Sequence, residues 1–329
     1  MGIMRKRFIL AGLMACLCLG ANAQEKKAEE PKGKAIVQVF GNFNTGFGAD
    51  NDTRGFELER SYLGYEYNLG NGLSIKSVMD IGKSSDVSDN QRLAYVKNAM
   101  ITWKKDNFTF NGGLIPTTQL AFQDKFWGYR YIMKSFQDLY KFGTSADLGI
   151  SASYKFNDIV SADAIIVNGE GFRKLQKKDG LNYGLGVTLK PVKGFSVRLY
   201  GSINEAAEKQ QKNITNLAAL IGYKGKDFSI GAEYNTMKNA SFADGADQHG
   251  YSVFSTVKLS GKTEIFARFD DLFSADDWNI SKDEQAAILG AQFKLGKYVK
   301  LAPNFRMSMP KAAGADNRYW GYVSFYFGL

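Results

Sequence analysis

From residue 34 to the C-terminus, the chain is written in short stretches in which every second position is apolar or aromatic. Such alternation gives a strand one face for an apolar phase and one for a polar phase. Sixteen stretches can be marked, at about 34–47, 55–69, 72–81, 93–104, 106–115, 146–156, 159–168, 181–190, 194–203, 213–224, 227–236, 250–259, 262–271, 284–295, 297–308 and 318–329. Beyond residue 23, no apolar run approaches the ~20 residues that a membrane-crossing helix needs. The pattern predicts an all-β protein: a transmembrane antiparallel β-barrel of about 16 strands whose apolar face meets lipid.

The connections strengthen that reading. Gly70-Asn71, Lys105, Asn157-Asp158, Pro191-Val192-Lys193, Gly225-Lys226, Ser260-Gly261 and Gly296 are tight and carry turn chemistry or polar residues. They follow the even strands, whereas long connections follow the odd ones, as expected of short periplasmic turns and long external loops. Both termini then lie on the periplasmic side. Tyr67, Trp103, Phe108, Phe156, Phe195, Tyr223, Phe228 and Phe293 all stand beside short turns on the apolar parity of their strands. That placement predicts an aromatic girdle at one membrane interface. The last strand aligns Tyr319, Val323, Phe325, Phe327 and Leu329 on one face.

The first 23 residues read differently. A basic Arg5-Lys6-Arg7, an apolar Phe8 to Gly20 and a small-x-small Ala21-Asn22-Ala23 predict a secretory signal peptide over 1–23. A lipoprotein-like cut at Cys16 is the alternative. Residues 24–33 form a short charged periplasmic lead-in, and 34–329 a single barrel domain. Both cysteines, Cys16 and Cys18, fall within the signal. Of 42 Lys+Arg the signal holds three, so 39 bases face 33 acids in the remainder, an excess of +6. That mild excess does not argue for nucleic acid, but it favours anions if the bases face a lumen.

Phe56-Glu57-Leu58-Glu59-Arg60-Ser61-Tyr62-Leu63-Gly64-Tyr65-Glu66 and Gly70-Asn71-Gly72-Leu73-Ser74-Ile75-Lys76 are followed by Tyr95 to Trp103, Gly112-Gly113-Leu114-Ile115-Pro116, Ala146-Asp147-Leu148-Gly149-Ile150 and Asn168-Gly169-Glu170-Gly171. In this order the motifs resemble the phosphate-selective porin O/P family, the first two its second and third strands. The resemblance covers about residues 34–175. Glu59-Arg60 departs from the consecutive arginines that family members often carry there. The resemblance implies a sixteen-stranded, trimeric diffusion porin that passes small anionic or polar solutes.

Parity then assigns the lumen. Arg60, Tyr62 and Glu66 point inward, as do Lys76, Lys155, Lys190, Arg198, Lys258, Arg268, Lys294, Lys300 and Arg306, with Asp80, Asp147, Glu233, Glu264 and Asp270. Arg60, Lys76, Arg198, Arg268 and Arg306 are the pore-lining candidates, either selecting anions or bracing the wall by pairing with Asp80, Glu264 or Asp270. The longest connection, 116–145, is too long for a hairpin and too rich in aromatics for disorder. It is expected to fold into the lumen as a constriction, with Lys125, Arg130 and Lys134 supplying charge, or else to cover a subunit interface. His249 reads as a solvated loop histidine, and Asp50-Asn51-Asp52 and Asp276-Asp277 as weak divalent-ion candidates.

The expected function is an outer-membrane porin, a passive channel for small hydrophilic solutes with mild anion preference, without cofactor or chemistry. A barrel enzyme and a non-conducting structural or adhesive barrel are the rivals. Expected partners are outer-membrane lipid and lipopolysaccharide, the permeating solutes, the barrel-insertion machinery and two further copies of the chain, with no nucleic acid.

Overall fold

The computed structural model describes residues 32–48, 51–84, 91–176 and 179–329. Sixteen strands follow one another: β1 Lys32–Phe47, β2 Arg54–Gly70, β3 Leu73–Lys83, β4 Arg92–Lys105, β5 Phe108–Pro116, β6 Ala146–Lys155, β7 Val160–Val167, β8 Asn182–Leu189, β9 Phe195–Asn204, β10 Ile214–Lys224, β11 Phe228–Lys238, β12 Gln248–Lys258, β13 Thr263–Ser274, β14 Glu284–Lys294, β15 Val299–Pro310 and β16 Arg318–Gly328. Their ends lie within three residues of those expected from the alternation. β1 begins at Lys32, inside the charged lead-in. The rest of that lead-in, the signal segment and Asp50 lie outside the described residues.

Every strand pairs antiparallel with its neighbour in sequence, and β1 closes on β16 through pairs such as Val39↔Phe327. Closure leaves no edge strand with unpaired backbone groups. Tight turns gather at one end and long connections at the other. The β2–β3 turn shows why such a turn is sequence-specific. Gly72 has φ +77°, and a Cβ there would stand 1.9 Å from the Lys104 carbonyl oxygen, a position open only to glycine.

Along each strand, the outward positions are apolar and exposed, as at Leu63, Leu185, Leu199, Leu217, Ile230 and Leu289. The inward positions are polar or packed. The aromatics beside the short turns pack in pairs, with Trp103–Phe108 edge-to-face at 6.1 Å between centroids and Tyr223–Phe228 tilted at 5.3 Å.

Besides a register slip between Asn68 and Gly70 at the β2–β3 turn, two bulges within the strands break the parity. The register slips between Phe40 and Gly41 opposite β2, so Glu59 has no partner across the ladder and shares the inner face with Arg60. Asn42 donates to Glu59 at 2.6 Å there. A second slip between Val78 and Met79 skips Lys97, whose ammonium turns inward beside Asn98 and donates to the Tyr62 hydroxyl at 3.0 Å. An extra residue on one strand redirects a side chain in this way, and strict alternation overlooks it.

One expectation is corrected, and one buried charge stands out. His249 belongs to β12, not to a loop, and its ring stacks on Phe273 at 5.1 Å and 9°. Asp271 sits on the outward parity of β13 but is buried, because Lys311 (2.6 Å), Gln285 (3.0 Å) and Tyr251 (3.2 Å) gather around its carboxylate. A charge near the apolar band survives only when paired and hydrogen-bonded.

The barrel has no central core of strand side chains. Its largest buried cluster lies between the inner wall and the 116–145 connection.

Candidate functional site

The chain leaves β5 at Pro116 and forms α1, Thr118–Trp127, which Gly128 ends in the left-handed conformation at φ +80°. A tight turn and a short helix, α2 (Phe136–Leu139), lead back toward β6. This segment lies inside the barrel. Trp127 and Tyr129 pack against Phe254 and Phe266, and Tyr131 packs between Phe40 and Tyr326. Removing these aromatics from water accounts for the loop's position, since each buries a large apolar area.

Polar pins fix the register of loop on wall. Tyr129 donates to Glu264 (2.7 Å), Tyr131 to Gln292 (2.8 Å) and Gln137 to Asn235 (2.8 Å), while Gln123 reaches Glu233. Three of the candidate arginines supply further pins. Arg198 donates to Gln119 at 2.7 Å, Arg268 to the Lys134 carbonyl at 2.6 Å, and Arg306 to the Ile132 carbonyl at 2.7 Å. Arg198 also forms a fork on Asp163 at 2.7 and 3.0 Å, and Arg268 one on Asp270 at 2.8 and 2.6 Å. Paired forks of this kind are the strong geometry for guanidinium and carboxylate.

These contacts revise the roles expected of the arginines. Arg198 and Arg268, exposed by only 2% and 4%, lie beneath the loop and brace it. Arg306 stacks on Tyr322 at 3.7 Å, and Arg60 alone of the four borders an open cavity, paired with Asp80 at 3.1 Å. Glu264 pairs with Lys294, not with an arginine. Lys76 pairs with Glu66 at 3.6 Å near the short-turn end. Asp163, the partner of Arg198, was not among the acids expected inside.

The loop charges divide between its two sides. Arg130 bridges Asp124 (3.1 Å) and Asp138 (2.7 Å), and Lys134 stands 3.9 Å from Asp138. Burial holds the Lys134 ammonium below the ordinary lysine value of 10.5, against the pull of Asp138 and with the neighbouring Arg60 and Arg130 adding to the fall. Lys125 lies on the other side, toward the short turns.

The wall the loop contacts runs from β9 around to β2, and α1 also touches β7, so the free cross-section is on the β3–β6 side. That side is lined by short polar groups: Thr102 donates to Asn111 (2.8 Å), which donates to Ser151 (3.0 Å). A cavity of about 680 Å³ opens on the long-loop side, bordered by Arg60, Lys134, Asp138 and Arg173. A second of about 620 Å³ opens on the short-turn side beneath α1.

Arg173 comes from a second inward loop that the alternation did not reveal. Asp147 holds this loop by accepting the backbone N–H groups of Gly169 (2.8 Å) and Gly171 (3.2 Å). Arg173 then stacks over Tyr95 at 5.2 Å. The available signal was the Gly169 and Gly171 pair, both at positive φ and just ahead of Phe172 and Arg173. Among the described residues, no cluster of His, Cys, Asp and Glu could hold a metal ion.

No family model matches the chain, and no curated protein matches it either. Solved structures do share its fold. OprB of Pseudomonas putida superposes with a TM-score of 0.72 at 11% identity, over 90% of this chain and 94% of that one. An anion-selective porin from Comamonas acidovorans gives 0.67 at 14% identity, over 91% of this chain and all of the other. OmpT of Vibrio cholerae, described as outer-membrane expressed, gives 0.65 at 16% identity, over 93% and 100%. At these identities the likeness establishes the fold alone: a closed sixteen-stranded antiparallel barrel of the outer-membrane type.

Proposed function

We propose that this protein is an outer-membrane porin, a passive diffusion channel for small hydrophilic solutes. The observation that carries the reading is the asymmetric lumen: the inward loop is pinned to one wall, while the facing wall from β3 to β6 keeps hydroxyl, amide and ammonium groups toward water. A structural plug would have no reason to leave a polar wall uncovered between two cavities. The exposed apolar band supports membrane residence. The strand and loop lengths support an orientation with short turns and both termini periplasmic and the long loops external.

Mild anion preference is the finer part of the proposal. Arg60, Lys97, Arg130, Lys134 and Arg173 surround the free passage against Glu59, Asp80, Asp124 and Asp138, leaving a small positive excess. In a narrow lumen with low-dielectric walls, such an excess acts on permeating ions more strongly than in bulk water. The sequence resemblance to phosphate-selective porins and the fold of an anion-selective porin agree with this sign. The remaining expectations, a homotrimer contacting lipopolysaccharide after delivery by the barrel-insertion machinery and a cleaved signal over 1–23, complete the proposal. Purified protein in planar bilayers under a salt gradient tests it. Stepwise currents with a reversal potential on the anion side are expected, and folded protein that stays silent contradicts the channel.

A further inference from the structure

The cavity beneath α1 differs in character from the passage above it. Phe122 and Phe126 form its roof, the β8–β9 turn contributes Pro191 and Val192 to its floor, and four ammonium groups, of Lys125, Lys190, Lys193 and Lys224, stand around it. The acid at its border, Asp158, is engaged by Lys155 at 2.5 Å, a bond that holds its carboxyl below the usual range. Lys224 donates to the Lys125 carbonyl at 2.7 Å and lies 4.7 Å from the Phe126 ring, so it ties the end of α1 to the rim of β10 and keeps the roof in place. The result is a concave space of about 620 Å³ with apolar surfaces above and below and positive charge at its edge. That volume falls within the range typical of small-molecule sites, which combine apolar lining with a few polar groups.

From this arrangement, we infer that the cavity is a binding site for amphipathic organic anions: molecules with one aromatic ring or a short hydrocarbon body and a single carboxylate or sulfonate. The ring fits between Phe122 and Val192, where it loses contact with water. The anionic group meets Lys190 and Lys193, for which a carboxylate supplies charge-assisted acceptors. A small inorganic anion gains nothing from the apolar surfaces, and a neutral aromatic gains nothing from the ammonium groups. The site therefore selects for the combination. Its assignment to the periplasmic mouth rests on the orientation proposed above, whereas binding itself does not.

The test reads binding and blockage separately. The probe is 4-(trifluoromethyl)benzoate, followed by fluorine NMR with the purified barrel in micelles and with empty micelles as reference. Saturable broadening is expected for the probe and absent for trifluoroacetate and for 4-(trifluoromethyl)benzyl alcohol at equal concentration. Lys190→Gln/Lys193→Gln, on an exposed turn, should weaken binding about fivefold, the effect expected of losing two solvent-exposed ion pairs. Val192→Ser should weaken it without altering charge. Broadening no greater than in empty micelles, equal broadening by trifluoroacetate, or full binding by both variants overturns the site. In bilayers, the same probe should interrupt the current from the short-turn side and not from the long-loop side. Interruption only from the long-loop side overturns the location, while a silent channel with intact NMR binding contradicts the channel reading and leaves the site standing.

Discussion

Arg268 shows how a residue can sit on the inner wall without meeting the permeating solute. Its guanidinium is divided between Asp270 and a loop carbonyl and lies 5.3 Å from the Trp127 ring. Arg268→Met leaves Asp270 buried without its counter-charge. Removing one partner of a buried pair costs about 3–5 kcal/mol, so denaturant unfolding of the variant should show a loss of that order while ion selectivity stays near the parent's. Phe266, fully buried between Trp127 and Tyr129, gives a second test at this scale. Phe266→Ala should cost about 3–5 kcal/mol and produce noisier open-channel current as the loop loosens. Alternation alone placed Arg268 and Arg198 inside correctly, because side-chain direction follows parity. It could not distinguish a lumen position open to water from one covered by the loop, since the cover comes from residues more than 60 positions away. Lys97 and Glu59 were illegible for another reason: each occupies a bulge, where the parity rule itself fails.

At the element scale, the 116–145 segment was recognisable from its length and its aromatics, and the structure places it in the lumen as one of the two readings held. Its partners on the wall were not readable, because no local pattern in Phe254, Phe266 or Gln292 marks them as loop contacts. Deleting Asp124 to Phe136 removes Trp127, Tyr129 and Tyr131 along with the Arg130 bridge, so single-channel conductance should rise with the barrel intact. Unchanged conductance would mean that the loop does not narrow the passage. The loop also carries a pH dependence. Lys134 has its pKa depressed by burial, so it loses its positive charge at a lower pH than an ordinary lysine. Anion preference measured by reversal potential should therefore begin to fall below pH 10.5 as the solution is made alkaline, and Lys134→Gln should reduce that early fall.

For the molecule as a whole, strand number, antiparallel order and closure were all legible, since period-two alternation runs through sixteen strands and short and long lengths alternate over the fifteen connections between them. Selectivity is a property at this scale because it sums Arg60, Lys97, Arg130, Lys134 and Arg173 against their acids. Lys97→Gln/Lys134→Gln should shift the reversal potential toward cations at ~0.1 M salt and less at ~1 M, where the Debye length contracts to about 3 Å. Solutes are expected to cross through an aqueous passage along the β3–β6 wall, and residues 32–329 contain no cysteine to confuse a test of it. Thr102→Cys lies on that open wall, whereas Ser252→Cys lies fully buried on the wall the loop covers. Adding 2-sulfonatoethyl methanethiosulfonate to single channels should lower the current of the Thr102 variant in discrete steps and leave the Ser252 variant unchanged. Modification of Ser252→Cys with Thr102→Cys untouched would contradict the passage.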